Sequence, residues 1–140
     1  MRKKVIAGNW KMFKTKAEAI AFAEEFRELY KDTDVQTAIC APFTNLEALK
    51  EAFAGTEIKV GAQNVHFADE GAFTGEISVS MLEEIGARLM RVGDRADAQA
   101  LCRALTAGRI GAVILPEEMT GRDLPERLAA TLTLIQEIRE

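Results

Sequence analysis

Asn9 and Lys11 stand two residues apart at the end of the apolar run Val5 to Trp10, a place where side chains meet ligands in α/β proteins. An ammonium group there could hold an anion such as the phosphate of a small phosphorylated ligand. Two readings of Lys11 stay open: an anion-binding lysine, or a lysine at a solvated strand tip. Asn9 reads as a carboxamide that bonds loop backbone. Glu117 and Glu118 follow another apolar run and could supply a base. With no electrophile or nucleophile visible beside them, they read as a solvated acidic turn. His66, the only histidine, could exchange protons but reads as structural. Phe73 and Met81 could fill a partner's pocket, and read instead as cover for the protein's own core.

These residues need elements to position them. Val5 to Trp10, Val35 to Pro42, Ile58 to Val65, Arg88 to Gly93 and Gly111 to Leu115 are short apolar runs with β-branched residues, and we read them as five strands. Helical spacing fills the intervals, as in Ile20, Ala23, Phe26 and Tyr30, or Leu124, Leu128, Thr131, Ile135 and Ile138. The alternation predicts five βα units and a mainly parallel sheet. Capping boxes mark the helix starts: Thr15 with Glu18, Thr44 with Glu47, Ser80 with Glu83, Asp123 with Glu126, and more loosely Asp94 with Asp97. Each predicted helix begins just past a strand's C-terminal end. Positive helix ends therefore converge on one sheet edge, where any ligand should bind.

Composition excludes some partners. The 140 residues carry 18 Lys plus Arg against 22 Asp plus Glu, a net charge of -4 that argues against nucleic acid and anionic membrane surfaces. A hydrophobic fraction of 48% suffices for one core, so a single domain over residues 1–140 is expected. Cys40 and Cys102 lie in apolar surroundings without the spacing of a metal site or disulfide framework, and read as reduced core thiols. We expect no cofactor and no metal. No apolar run reaches membrane-span length and the first residues lack a signal-peptide pattern, so a cytoplasmic protein is expected.

Three stretches carry a family resemblance: AGNWKMF at Ala7 to Phe13, CAPFTNL at Cys40 to Leu46, and GAQNVHFADEGAFTGEISVSMLEEIG at Gly61 to Gly86. In combination and at this spacing they resemble triosephosphate isomerase over about residues 1–87. The resemblance implies that Asn9 and Lys11 bind substrate, the lysine pairing with its negatively charged form, and that Gln63 and Asn64 support that lysine. It also implies that the loop with Phe73, Thr74, Gly75 and Glu76 reaches into a neighbouring subunit, placing Thr74 beside the partner's lysine.

Beyond Gly86 the chain departs from the family's pattern. Gly93, Asp94, Arg95, Ala96 and Asp97 stand where the family has its GHSER motif, so Asp94 occupies the place of the electrophilic histidine. An aspartate at a helix start favours the ionised form, which neither polarises a carbonyl nor welcomes a phosphate. The family's catalytic glutamate, flexible lid and phosphate loops have no counterpart in the chain. Residues 88–140 look more like a receiver or flavodoxin-like βα segment, although the clustered acids of a phosphoacceptor are missing. Five units cannot close an eight-stranded barrel. We therefore expect an α/β, three-layer, doubly wound parallel sheet of flavodoxin-like order 2-1-3-4-5, with an open partial TIM barrel as the alternative. The expected function is that of an engineered or recombined scaffold derived from the isomerase, without its activity. The alternative is a residual isomerase or weak phosphate-binding module using Lys11. Self-association through 71–76 or exposed sheet edges is the expected contact with other chains.

Overall fold

The computed structural model describes residues 4–87, 89–91, 107–109 and 112–114. The chain runs β1 (Val5–Asn9), α1 (Lys16–Leu29), β2 (Gln36–Cys40), α2 (Phe43–Ala52), β3 (Lys59–Ala62), α3 (Val79–Glu84), β4 (Leu89–Arg91) and β5 (Ala112–Ile114). All neighbouring strands pair in parallel, so the α/β class with a parallel sheet holds. All five expected strands are present, the second and third shortened at both ends and the first at its C-terminal end.

Strand order is β1-β2-β3-β4-β5, which corrects the expected 2-1-3-4-5 arrangement. In a doubly wound sheet the chain reverses direction after its first units and sends helices to both faces. Here every crossover steps the same way, and crossovers of one hand then deliver their helices to one face. Ala19 and Ala23 of α1, Leu46 and Leu49 of α2, and Val79 and Leu82 of α3 accordingly share a single buried cluster with Ile39, Val60 and Ala62 of the strands. Phe26 meets Phe53 edge-on at 6.3 Å, and Arg27 Nη1 donates to the Ala52 carbonyl at 2.9 Å, joining α1 to the end of α2. The opposite face carries small side chains, Ala7, Ala38 and Cys40. This sequential order is that of the open partial barrel.

The helix starts follow their caps unevenly. α1 opens on the expected box: Thr15 N donates to Glu18 Oε2 at 2.7 Å, and Glu18 N to Thr15 Oγ1 at 3.4 Å. α2 begins earlier than Thr44 would have it. Pro42 takes the N-cap position with no side-chain bond, its own φ of -54° already being suited to a helix entrance. α3 is capped two residues before Ser80, by Ser78, whose Oγ accepts from Met81 N at 3.4 Å. The Asp94 and Asp123 boxes, Cys102, Glu117 and Glu118 lie outside the described residues.

Among the described residues β1 ends the sheet. Lys4 O and Trp10 N both bond to β2, so by the alternation of a parallel ladder Val5, Ala7 and Asn9 turn their backbone groups to the open edge. Val5 and Ile6 on this strand are 46% and 66% exposed.

Candidate anion site at the strand ends

The C-terminal ends of the first three strands are tied by one carboxamide network. Parallel register sets Asn9 opposite Cys40 and Cys40 opposite Gly61, so these positions, and Gln63 two residues on, share the sheet face turned away from the helices. Gln63 Nε2 donates to Asn9 Oδ1 at 3.3 Å and to the Cys40 carbonyl at 3.0 Å. Trp10 N shares that carbonyl at 2.9 Å. Asn9 Oδ1 in turn accepts the backbone N–H of Lys11 at 3.0 Å. Asn9 thus holds loop backbone while Gln63 holds Asn9. Asn64 is spent on the next amide, its Oδ1 accepting from Val65 N at 2.9 Å.

Lys11 sits exposed at this edge with φ 54°, and Lys14 three residues later has φ 74°. The left-handed region costs an L residue about 1–2 kcal/mol, so two such residues in one short loop need external holds. Lys14 has two. Its carbonyl accepts from Asn45 Nδ2 at 2.8 Å, and its Nζ lies 5.6 Å from both the Trp10 and Phe22 ring centroids, in cation–π range. Asn45 is fully buried in the first turn of α2, and was not picked out among the sequence candidates. The signal was available: it falls on the stripe it shares with Leu49, four residues on, where the helical period asks for an apolar side chain.

The second candidate region is the loop between β3 and α3. His66 N donates to the Ile77 carbonyl at 2.7 Å and brings the loop's two ends together. The imidazole packs at a tilt against Phe67 and Phe73 with centroids 4.3 and 4.1 Å away, and its Nδ1 accepts from Ala68 N at 3.1 Å. That set of contacts makes His66 a scaffold for the loop. Phe73 remains 43% exposed and Met81 52%, so neither is core cover as expected; both sit where the chain meets solvent. Thr74, Gly75 and Glu76 form the exposed tip, turned by Glu76 N donating to Phe73 O at 3.1 Å with Gly75 at φ 89°. Gly71 has φ 145°, and a methyl group built there would lie 2.8 Å from the Phe73 ring, so the ring packs where only glycine leaves room.

Arg109 fastens this loop from outside. It donates through Nη1 to Asp69 Oδ1 at 2.9 Å, through Nε to Glu83 Oε2 at 2.9 Å and through Nη2 to Ser80 Oγ at 2.8 Å. Ser80 Oγ donates onward to Asp69 Oδ1 at 3.2 Å. Its hydrogen bonds to Asp69, then to Glu83, raise the guanidinium pKa further. At the other end of the chain, the backbone and hydroxyl of Thr15 pull the Glu18 carboxyl below its ordinary range.

The structure brings Asn9, Lys11 and Gln63 together at one edge and sets Phe73 to Glu76 apart on a loop tip. Among the described residues no helix is long and apolar enough to cross a membrane, and no three His, Cys, Asp or Glu side chains gather as a metal site would require. The strand ends offer an exposed cation on a pinned loop, which is suited to holding an anion.

Comparison with known proteins gives this geometry a context. The family model for triosephosphate isomerase matches residues 4–95, running past residue 87, where the resemblance is expected to end. The chain is similar to the triosephosphate isomerase of Alkaliphilus metalliredigens, 52% identical over 93 residues, and to that of Solibacter usitatus, 56% identical over 94 residues. Both alignments cover 66% of this chain and 38% of the relative. The enzyme of Gloeothece citriformis is 53% identical over 95 residues, covering 66% of this chain and 39% of its own. The match therefore spans about two fifths of the relatives' length.

Proposed function

Because this chain belongs to the triosephosphate isomerase family, we propose that it is a recombined or engineered scaffold, built on that family's first βα units, which binds small phosphorylated anions weakly at Lys11 and does not interconvert triose phosphates. The observation that carries the reading is the pinned, exposed Lys11 at the C-terminal strand edge, its amide held by Asn9 and Asn9 by Gln63. A cation whose backbone is already fixed loses less freedom on binding, so even one ammonium with a few backbone amides gives measurable affinity. Millimolar binding, about -4 kcal/mol, is the expected scale.

Turnover needs more than an anion site. Asp94 stands where the family resemblance calls for a histidine, and an ionised carboxylate cannot polarise a carbonyl as a neutral imidazole does. This enzyme family is itself a familiar worked example of such an imidazole paired with a glutamate base. The resemblance puts the family's glutamate base on a later strand, and the matched segment ends at residue 95.

Two measurements test the reading. A coupled assay for triose phosphate interconversion should give no turnover that Lys11→Ala abolishes; lysine-dependent turnover well above background would make the chain a residual isomerase. Titration with phosphoglycolate, followed by amide NMR, should shift residues 9–13, and an absence of shifts at tens of millimolar would dispose of the anion site.

A second reading rests on the exposed tip. Phe73, Thr74, Gly75 and Glu76 are all solvent-facing, and the β1 edge, open among the described residues, exposes Val5 and Ile6. These surfaces support self-association through 71–76 or through the sheet edge. Sedimentation over a range of concentrations decides it: a monomer whose mass is unaffected by deleting 71–76 or by altering the edge would leave neither surface a partner.

A further inference from the structure

We infer that Asn45 is a positioning residue for Lys11, holding the β1–α1 loop in the conformation that presents the ammonium group at the strand ends. The inference rests on the anion-binding reading for its purpose, though not for its structural content. Between Trp10 and Thr15 the chain must pass through two left-handed residues, Lys11 at φ 54° and Lys14 at φ 74°, neither of them glycine. Such conformations persist when surrounding contacts over-determine them. Packing gives the middle of the loop little help, because Met12 and Phe13 are 93% and 70% exposed. What remains, besides the Lys14 ammonium lying 5.6 Å from the Trp10 and Phe22 ring centroids, is a hydrogen-bond anchor at each end. Asn9 Oδ1 takes the N–H of Lys11 at 3.0 Å, and Asn45 Nδ2 gives to the carbonyl of Lys14 at 2.8 Å. The first anchor belongs to the strand-end network and is itself held by Gln63. The second comes from a different element, α2, thirty-one residues along the chain.

Asn45 is costly where it stands. The residue is 0% exposed, and its Oδ1 meets no donor among the described residues. A buried polar group without a full complement of hydrogen bonds is disfavoured against an apolar residue of similar size. Packing therefore does not explain an asparagine at this position, whereas the bond to Lys14 does. The amide's orientation follows from the same contact, since turning it over would set Oδ1 against the Lys14 carbonyl oxygen.

The test compares the wild-type chain with Asn45→Leu, which keeps the bulk and removes the amide, and Asn45→Asp, which keeps the shape and replaces only the donor. Lys11→Ala serves as the reference for lost binding. Amide NMR spectra and ¹⁵N relaxation of residues 10–15 report the loop, thermal unfolding reports the fold, and titration with inorganic phosphate reports the site. In both variants the amides of Lys11 to Lys14 should shift and gain motion, and the phosphate dissociation constant should rise roughly 2- to 10-fold, the scale of one lost hydrogen bond. Asn45→Leu should meanwhile unfold at or above the wild-type temperature. Wild-type loop signals in a folded variant would overturn the inference, and so would loss of the fold in both variants, which would make the side chain structural. If wild type binds no phosphate, the anion reading fails by itself, and the loop signals still decide the role of Asn45.

Discussion

At the scale of single residues, carboxamides and hydroxyls do more positioning here than charges do. Glu18 shows how. Its folded pKa is depressed by hydrogen bonds from the Thr15 backbone and hydroxyl, so its stabilising contribution is present above the unfolded carboxylate pKa and is lost as pH falls through the folded one. Thr15→Ala should return the Glu18 titration toward the ordinary carboxylate range, measured by the carbonyl resonance of the side chain, and flatten the acid side of the stability profile. Removing the N-cap hydroxyl should itself cost about 1 kcal/mol by urea unfolding at neutral pH. A Glu18 titration unmoved by the substitution would mean that the box is not formed in solution. This pair was legible in the sequence because a capping box is local, needing only the right two residues three apart. Asn9 was legible in part: its type announced a loop-bonding amide, but its support by Gln63 spans 54 residues and exists only after three strands align.

At the scale of elements, α3 shows where local rules compete. Both Ser78 and Ser80 can cap a helix, and Ser80 has a glutamate three residues on, so the sequence pattern favours Ser80. The helix starts at Val79 instead, because the Ser80 hydroxyl is taken by Asp69 and Arg109 while Ser78 is buried and free to turn onto Met81 N. Ser78→Ala should therefore destabilise the protein by about 1 kcal/mol in chemical denaturation. Ser80→Ala should leave that stability nearly unchanged and instead speed hydrogen exchange in 66–76, by loosening the Asp69 contact. The reverse ranking would put the cap back at Ser80. The loop itself is better ordered by its own side chains than a glycine-punctuated stretch suggests. Its two aromatic rings close on His66, and Gly71 makes room for one of them.

At the scale of the whole molecule, the edge of β1, open among the described residues, is the feature with most consequence. Parallel sheets are ordinarily covered on both faces and protected at their edges. This one presents Val5, Ala7 and Asn9 backbone groups at an edge whose exposed side chains, Val5 and Ile6, are apolar. Ile6→Lys places a charge on that edge at a position 66% exposed. It should alter stability by no more than about 0.5 kcal/mol, while reducing concentration-dependent association in sedimentation velocity. Association that survives Ile6→Lys but disappears on deleting 71–76 would assign the contact to the loop tip instead.

Five strands, the helices that follow the first three of them, their parallel pairing, and the place of Asn9 and Lys11 at a strand end could all be read from the amino-acid sequence alone. Each of these depends on periodicity, caps and chain direction, which act over a few residues or one βα unit. Family membership was legible too, since AQNVHF, GAFTGE and their spacing are themselves sequence. Only the tertiary structure decided the strand order, because the same βα units can step one way or reverse, and the local pattern is alike in both cases. It alone also showed that Asn45 reaches Lys14. That contact needs α2 laid against the loop entering α1, and no local spacing encodes the approach of two segments thirty-one residues apart.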